Sequence, residues 1–270
     1  MTSGEFASRY GPWALIAGAS EGTGASFARQ LAEKGLNLIL VARREGPLDK
    51  LASELRAAYP VECVTASIDL AADDATSRLL EAADGREVGL LILNAGADTN
   101  GSMFLDTALA NWDSLAMRNV MTTMRALHAF GTPMRERRRG GLLVVGSGAA
   151  YGGLPGIGVY CASKAFDLML CEALWAELEP HGVDVLSYVI NRTDTPAHRE
   201  LMEARGMPVP DDMADSDDVA RLGLERLPHG PICNWGEADD EAGMTDQSAA
   251  QRRERIRRIA ALSAAYAGKD

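Results

Sequence analysis

The chain has 270 residues, of which 47% are hydrophobic and 24% are charged. This composition is typical of a globular protein and excludes disordered, collagenous and membrane-embedded chains. The net charge of −11 disfavours nucleic acid as the main partner, because an acidic surface repels phosphate backbones. No apolar run approaches the ~20 residues that span a bilayer, and the first residues lack the pattern of a secretory signal. We therefore expect a cytoplasmic protein with no membrane partner.

The cysteines show neither a metal site nor a disulfide framework. Cys63, Cys161, Cys171 and Cys233 form no C-x-x-C pair and no cluster with histidine at the spacing of metal ligands. A chain of this length buries enough surface to fold without disulfides or a structural metal. We therefore predict reduced, buried thiols and no metal site.

Short apolar runs alternate with segments of helical periodicity along most of the chain. The runs predict six strands, at residues 13–17, 36–42, 61–66, 88–93, 142–145 and 183–189. The segments between them predict helices at residues 25–34, from 47, 73–83, 111–136 and 159–179. This alternation predicts an α/β fold with one doubly wound parallel sheet and helices on both faces.

The pattern changes after the sixth predicted strand. Residues 191–215 are rich in Met, Pro and Asp, and they predict a variable segment over a binding site. Ser216 is predicted to cap the next helix, and residues 231–235 predict a short last strand. Apolar residues at helical spacing among arginines predict a C-terminal surface helix over about 248–266. We expect residues 1–270 to form one domain.

A glycine-rich turn joins the first predicted strand to the first predicted helix. It runs Gly18-Ala19-Ser20-Glu21-Gly22-Thr23-Gly24, with the spacing G-x-x-x-G-x-G. Glycines at such a turn let the backbone approach a pyrophosphate, which then lies at the helix N-terminus. The turn therefore predicts a dinucleotide site, and a tight connection without a ligand is the alternative.

Two polar side chains four residues apart open the helix after the fifth predicted strand. At this spacing Tyr160 and Lys164 share a helix face. A nearby ammonium favours the tyrosinate, which can exchange a proton with a substrate oxygen. An ordinary surface pair is the alternative.

Further polar residues fall at the carboxyl ends of the predicted strands or on the helices beside them. Ser147 follows the fifth strand, and Asn94-Ala95-Gly96 ends the fourth. Asn119 lies inside the long predicted helix, where an amide is a mediocre helix former. Open α/β sheets bind their ligands at this edge, so these residues predict one site.

The joint order of GASEGTG, NAG, Asn119, Ser147 and YCASK resembles the short-chain dehydrogenase/reductase family. The resemblance covers residues 13–196 and extends more weakly to Trp235. It implies a single Rossmann-type domain, usually in a homotetramer or homodimer. It also implies an oxidoreductase that interconverts a carbonyl and a secondary alcohol.

The resemblance assigns roles to four catalytic residues. Tyr160 would be the general acid/base, and Lys164 would lower its pKa and hold the nicotinamide ribose. Ser147 would bind the substrate oxygen, and Asn119 would support a water relay to Lys164. The glycine turn and the resemblance together predict these cofactor-binding residues: Gly18, Ser20, Glu21, Gly22, Thr23, Gly24, Arg43, Asp69, Leu70, Asn94, Ala95, Gly96, Tyr160, Lys164 and Thr195.

The end of the second predicted strand indicates which cofactor is preferred. An acid there would bind the ribose 2′-hydroxyl of NAD, but this chain has Ala42 followed by Arg43. A guanidinium suits a phosphate in geometry and charge. We therefore predict NADP(H), with Arg43 and Ser20 at the 2′-phosphate, although Glu21 in the turn argues for the alternative, NAD(H).

The chain departs from the family pattern after the sixth strand, where Ile190-Asn191 replaces the usual Pro-Gly. Two alternatives stay open: an NAD-linked alcohol or hydroxysteroid dehydrogenase, and a non-catalytic nucleotide-binding sensor of the same fold. The complete set of four catalytic residues argues against the sensor. Met103, Phe104, Leu154, Met202 and Met207 predict an apolar pocket and thus a small apolar substrate, such as a ketone, a 3-oxoacyl group or a steroid.

Overall fold

The computed structural model describes residues 1–97, 101–204, 209–236 and 253–254. In this part of the chain seven strands form one sheet in the order β3-β2-β1-β4-β5-β6-β7, and all neighbouring strands are parallel. The strands are β1 Trp13–Ala17, β2 Asn37–Ala42, β3 Cys63–Ser67, β4 Val88–Leu93, β5 Gly140–Ser147, β6 Val183–Ile190 and β7 Ile232–Asn234. The strand order changes direction between β1 and β4, which opens a crevice at the carboxyl ends of the strands.

Helices lie on both faces of the sheet. They are α1 Ser3–Tyr10, α2 Gly22–Glu33, α3 Glu45–Ala58, α4 Ala75–Ala83, α5 Leu109–Ala116, α6 Thr123–Glu136, α7 Gly158–Leu178, α8 Pro196–Ala204 and α9 Ser216–Arg226. Successive residues of a strand point to opposite faces, so β1 contributes Ile16 to one core and Leu15 to the other. The first core contains α2, α3 and α9, and the second contains α4, α6 and α7. The predicted doubly wound α/β fold is confirmed.

Two helices were absent from the prediction. The first is α1, which buries Phe6 and Tyr10 against the core. Its start carries a capping box, because Thr2 Oγ1 accepts the Glu5 backbone N–H and the Glu5 carboxylate accepts the Thr2 N–H. The second is α8, which lies inside the predicted variable segment.

Two predictions about helices are corrected by the structure. The long helix predicted at 111–136 is interrupted by a π-helical turn, Met117–Thr122, between α5 and α6. Helix α9 is capped by Asp215 rather than Ser216, because the Asp215 carboxylate accepts the N–H groups of Asp217 and Asp218. Ser216 instead donates to the carbonyl of Asp194 at 2.6 Å.

The remaining predictions concern the C-terminal part of the chain, the cysteines and membrane-spanning segments. The last predicted strand is confirmed as β7. The C-terminal helix predicted at about 248–266 lies outside the described residues apart from 253–254, which are helical. The four cysteines are buried and free, as predicted. Within the described ranges, no helix has both the length and the apolar character needed to cross a membrane.

Candidate active site

A cleft of about 990 Å³ opens at the carboxyl ends of the central strands. It brings together most of the residues that the sequence predicted for the site. The predicted residues that line it are Gly18, Ser20, Glu21, Thr23, Arg43, Asp69, Leu70, Asn94, Ala95, Gly96, Ser147, Tyr160, Lys164 and Thr195. Gly22, Gly24 and Asn119 are not part of this lining, but they contact its residues Thr195, Gly18 and Gly96, respectively. The predicted residues thus form one continuous site.

The glycine-rich turn is packed so closely at Gly24 that any side chain is excluded from that position. A Cβ added to Gly24 would lie 1.9 Å from the carbonyl oxygen of Gly18. The Asn94 side chain donates to that same carbonyl at 3.0 Å, which ties the turn to the end of β4. Glu21 is the N-cap residue of α2, and its side chain makes no capping hydrogen bond. The first backbone N–H groups of α2 therefore suit an anionic group of a dinucleotide.

Two arginines at the end of β2 have different surroundings. Arg44 forms an ion pair with Glu21. Arg43 is exposed at the cleft and forms no ion pair with any residue that the structure describes. The negative charge of Glu21 is thus matched by Arg44, and the Arg43 guanidinium stays available for an anion such as a phosphate.

The π-helical turn explains why an asparagine lies inside a helix. Asn119 is 1% exposed, and its Nδ2 donates to the Gly96 carbonyl at 2.9 Å and to Ser163 Oγ at 3.1 Å. Ser163 in turn donates to the Tyr160 carbonyl at 2.8 Å. Such π turns are frequent at functional sites. Asn119 therefore joins the end of β4 to the first turns of α7.

Lys164 is almost fully buried, with two of its three N–H groups bonded. Its Nζ donates to the Val145 carbonyl at 2.9 Å and to Asp167 Oδ2 at 3.1 Å. The ammonium also lies 6.0 Å from the centroid of the Tyr160 ring. Burial lowers the pKa of Lys164, but the charges of Asp167 and Tyr160 outweigh burial and raise the pKa above its ordinary value. Lys164 is therefore a cation with one donor left for the cleft it lines.

Ser147 and Tyr160, which both carry a hydroxyl group, line the same cleft. Ser147 is the last residue of β5, and its Oγ accepts the Ala149 backbone N–H at 3.3 Å, which leaves the hydroxyl proton to donate. The Tyr160 hydroxyl makes no hydrogen bond to a residue within the described ranges. A carbonyl oxygen bound between these two groups would meet both a hydrogen-bond donor and a proton source.

The segment after β6 closes over the glycine-rich turn. A Cβ added to Gly22 would lie 2.6 Å from Thr195 Cγ2, so the segment after β6 and the glycine-rich turn are in direct contact. Ile190 and Asn191, which replace the usual Pro-Gly, both line the cleft. The segment therefore reaches the cleft without that dipeptide.

Arg118 lines the cleft but was missed by the sequence analysis, because it lies outside the motifs. Arg192, His198, Glu200 and Leu201 also line the cleft, and they belong to the segment 191–215 that was predicted to lie over a binding site. Conversely, Met103, Phe104 and Leu154 are exposed and do not line the cleft, so the prediction that these three residues form a substrate pocket is wrong. Phe104 stacks on Trp112 instead. Met202 is buried, and Met207 lies outside the described residues.

Sequence comparison agrees with this arrangement. The profile of the short chain dehydrogenase family matches residues 12–206. The chain belongs to this family. Its match includes the glycine-rich turn, the end of β4, the π-helical turn and the Tyr160–Lys164 pair.

Two curated relatives are similar to this chain. A very-long-chain 3-oxoacyl-CoA reductase from Podospora anserina is 37% identical over 187 residues, which are 67% of this chain and 55% of the reductase. A 7beta-hydroxysteroid dehydrogenase from Collinsella aerofaciens is 33% identical over 189 residues, which are 70% of this chain and 72% of that protein. The chain therefore spans little more than half the length of the reductase.

Two solved structures match nearly the whole chain. One, described for its insights into 7beta-hydroxysteroid dehydrogenase stereoselectivity, has a TM-score of 0.78 and 27% identity and covers 94% of this chain and 99% of its own. The other is a short-chain dehydrogenase from Sphingobium yanoikuyae in complex with NADPH, with a TM-score of 0.76 and 26% identity. It covers 95% of this chain and 94% of its own.

Proposed function

We propose that this protein is an NADP(H)-dependent oxidoreductase that interconverts a carbonyl group and a secondary alcohol on a small apolar substrate. One observation carries the proposal: Ser147, Tyr160 and the buried cation Lys164 line the same cleft as the glycine-rich turn. Membership of the short chain dehydrogenase family supports it. A protein that only bound a nucleotide would have no need of the serine and the tyrosine together.

The residues of the cleft fit a phosphorylated dinucleotide. The N-terminus of α2 would hold the pyrophosphate, because its backbone N–H groups have no side-chain cap. Arg43 and Ser20 would hold the 2′-phosphate. The other cofactor contacts would come from Asp69, Leu70, Asn94, Ala95, Gly96 and Thr195, which line the rest of the cleft. When bound, NADP(H) would supply or accept the hydride.

The side chains of this protein would handle the substrate oxygen and its proton. Ser147 would donate a hydrogen bond to the carbonyl oxygen, and Tyr160 would give that oxygen a proton in the reductive direction. In the oxidative direction Tyr160, as the phenolate, would take the proton from the hydroxyl group of the alcohol. Lys164 would stabilise the phenolate by its charge, and Asn119 would hold the backbone that surrounds it. Ser147 would therefore act as the hydrogen-bond donor, and Tyr160 would act as the general acid or base.

The names of the relatives narrow the substrate class. The curated relatives are a 3-oxoacyl-CoA reductase and a hydroxysteroid dehydrogenase, and their names describe a carbonyl on an acyl chain and an alcohol on a steroid, which are both apolar groups. We therefore propose an apolar ketone, a 3-oxoacyl group or a steroid. The resemblance in fold to a complex with NADPH supports the cofactor.

Substitution of Tyr160 by Phe tests this proposal. Tyr160→Phe removes the proton donor and little else, so turnover should fall by at least about 100-fold while NADPH still binds. Tyr59→Phe, outside the cleft, is the matched control and should keep full activity. Rates are measured by NADPH consumption, and binding by the change in NADPH fluorescence. Full turnover in Tyr160→Phe would exclude Tyr160 as the acid.

A further inference from the structure

A buried carboxylate lies beside Lys164 on the side away from the cleft. Asp167 is 1% exposed, and its Oδ2 accepts the bond from Lys164 Nζ at 3.1 Å. Its other oxygen, Oδ1, is also buried and accepts no hydrogen bond from any residue that the structure describes. Burying a carboxylate costs free energy unless a partner compensates for it. The partner here is Lys164, and among the described residues no other group forms a hydrogen bond with this carboxylate.

Three side chains follow one another along a single face of α7. Tyr160, Lys164 and Asp167 are spaced four and then three residues apart, which puts all three on one side of the helix. The Val145 carbonyl holds the ammonium from β5. Gly96 faces it from the end of β4, where an added Cβ would lie 3.0 Å from Nζ. The ammonium is therefore fixed in position from three sides.

We propose that Asp167 is a positioning residue that keeps Lys164 a fixed cation beside Tyr160, and thereby sets the proton exchange of the site. Asp167 does not line the cleft, so it acts through Lys164 rather than on the substrate. This inference rests on the proposed function. It adds to the four motif residues a fifth side chain that none of the motifs contains.

The electrostatics of the pair agree with this role. Without its counter-ion a buried ammonium tends to lose its proton, because burial lowers the pKa of Lys164. Besides Asp167, the titratable groups that act on Lys164 are Tyr160 and Cys171, both on α7. From the other elements the pair is faced by the Val145 carbonyl and by Asn119, whose Oδ1 accepts a hydrogen bond from the cationic Arg118 at 3.3 Å. Asp167 is thus the nearest source of negative charge for this lysine.

The substitution Asp167→Asn tests the proposal, because it keeps the shape of the side chain and removes its charge. Lys164 would then lose its proton more readily, and a neutral amine no longer favours the phenolate. We expect kcat for alcohol oxidation to fall at least about tenfold, since charge placement of this kind commonly contributes that much. We also expect the acid limb of its pH profile to move to higher pH. Asp167→Glu, which restores the charge, should bring the limb back toward the wild-type position.

A matched control separates this role from a structural one. Glu172 is a second buried carboxylate on α7, and its charge acts on Cys171 rather than on Lys164. Glu172→Gln should leave the pH profile in place. If Asp167→Asn lowers only the melting temperature, and kcat and the acid limb stay unchanged, the proposal is overturned. If Asp167→Asn does not fold, the smaller uncharged variant Asp167→Ser replaces it.

A measurement without turnover distinguishes failure of this inference from failure of the proposed function. Ultraviolet difference absorbance follows phenol ionisation, and subtraction of the Tyr160→Phe titration isolates the signal of Tyr160. The proposal requires this ionisation to move to higher pH in Asp167→Asn, whether or not a substrate has been found. An unmoved titration overturns the inference. A moved titration in a protein that turns over no carbonyl overturns only the proposed function.

Discussion

Replacement of Gly96 by alanine should reduce turnover by displacing Lys164. An added Cβ at this position would lie 3.0 Å from Lys164 Nζ and 3.3 Å from Asn119 Oδ1, both closer than an ordinary contact. Neither neighbour can move without disturbing its hydrogen bonds, because Lys164 is bonded to Val145 and Asp167, and Asn119 is bonded to Ser163. The methyl group must therefore push the ammonium by a few tenths of an ångström.

The size of the effect follows from that displacement. A misplacement of about 1 Å in a catalytic group costs about 100-fold in rate, so a few tenths should cost about fivefold to tenfold. This corresponds to about 1–1.4 kcal/mol of transition-state stabilisation. Since the substitution leaves the glycine-rich turn and Arg43 unchanged, we expect kcat to fall more than the affinity for NADPH.

Steady-state kinetics with NADPH and any active carbonyl substrate would measure this effect, and fluorescence titration would give cofactor affinity. Gly4→Ala is the control, because an added Cβ on that helical glycine meets no atom within 4 Å. It should leave kcat unchanged. Wild-type kcat in Gly96→Ala would refute the reasoning, because it would mean that the position of the ammonium does not limit the reaction.

Three other predictions concern cofactor preference, stability at high pH and assembly. Arg43→Asp should weaken NADPH binding by about tenfold to 100-fold, since a charge-assisted hydrogen bond contributes about 1.5–3 kcal/mol; an unchanged NADPH-to-NADH affinity ratio in fluorescence titrations would exclude this contact. Burial and then the charge of Asp184 raise the pKa of Tyr10, and burial raises that of Tyr188. The free energy of unfolding should therefore fall as pH rises above about 10, by about 1.4 kcal/mol per pH unit for each proton, and Tyr10→Phe should make this fall less steep in urea titrations. We also expect a homotetramer or homodimer, and the partly exposed Met124 and Met169 on α6 and α7 support it; light scattering that gave a monomer would contradict this expectation.

Much of the fold could be predicted because its elements have strong local patterns. Buried parallel strands are continuous apolar runs, and β1 and β4 appear in the sequence with the bounds found in the structure. The two missed helices have weaker patterns. The start of α1 carries a capping box at Thr2 and Glu5, a signal that could have revealed it. Helix α8 lies among prolines and polar residues, where helical periodicity is short.

The candidate site was predicted as a set of residues but not as a network. The motifs identified Asn119, yet its partners Gly96 and Ser163 depend on a π-helical turn that no sequence pattern indicated. The pair of Glu21 and Arg44 joins residues from two different loops. The sequence does not show which charges form an ion pair. Glu21 therefore argued against NADP(H) in the sequence analysis, and the structure shows that its charge is matched by Arg44.

Asp167 is a clearer example of a contact that the sequence pattern does not reveal. Its spacing from Lys164 is visible in the sequence, but a pair three residues apart on a helix is usually an exposed one of little energetic consequence. Only the burial of both side chains makes this pair important. Burial depends on the packing of α7 against β5 and the π-helical turn, which local sequence does not determine.

The central claim is tested most directly by the rate of reduced-cofactor consumption. Purified protein is mixed with NADPH or NADH in parallel and with a panel of apolar ketones, 3-oxoacyl thioesters and steroids. Our account predicts turnover of at least one carbonyl substrate, faster with NADPH than with NADH, and loss of that turnover in Tyr160→Phe. Tight NADPH binding without turnover of any member of the panel, in either direction of the reaction, would contradict the account and favour a nucleotide-binding sensor.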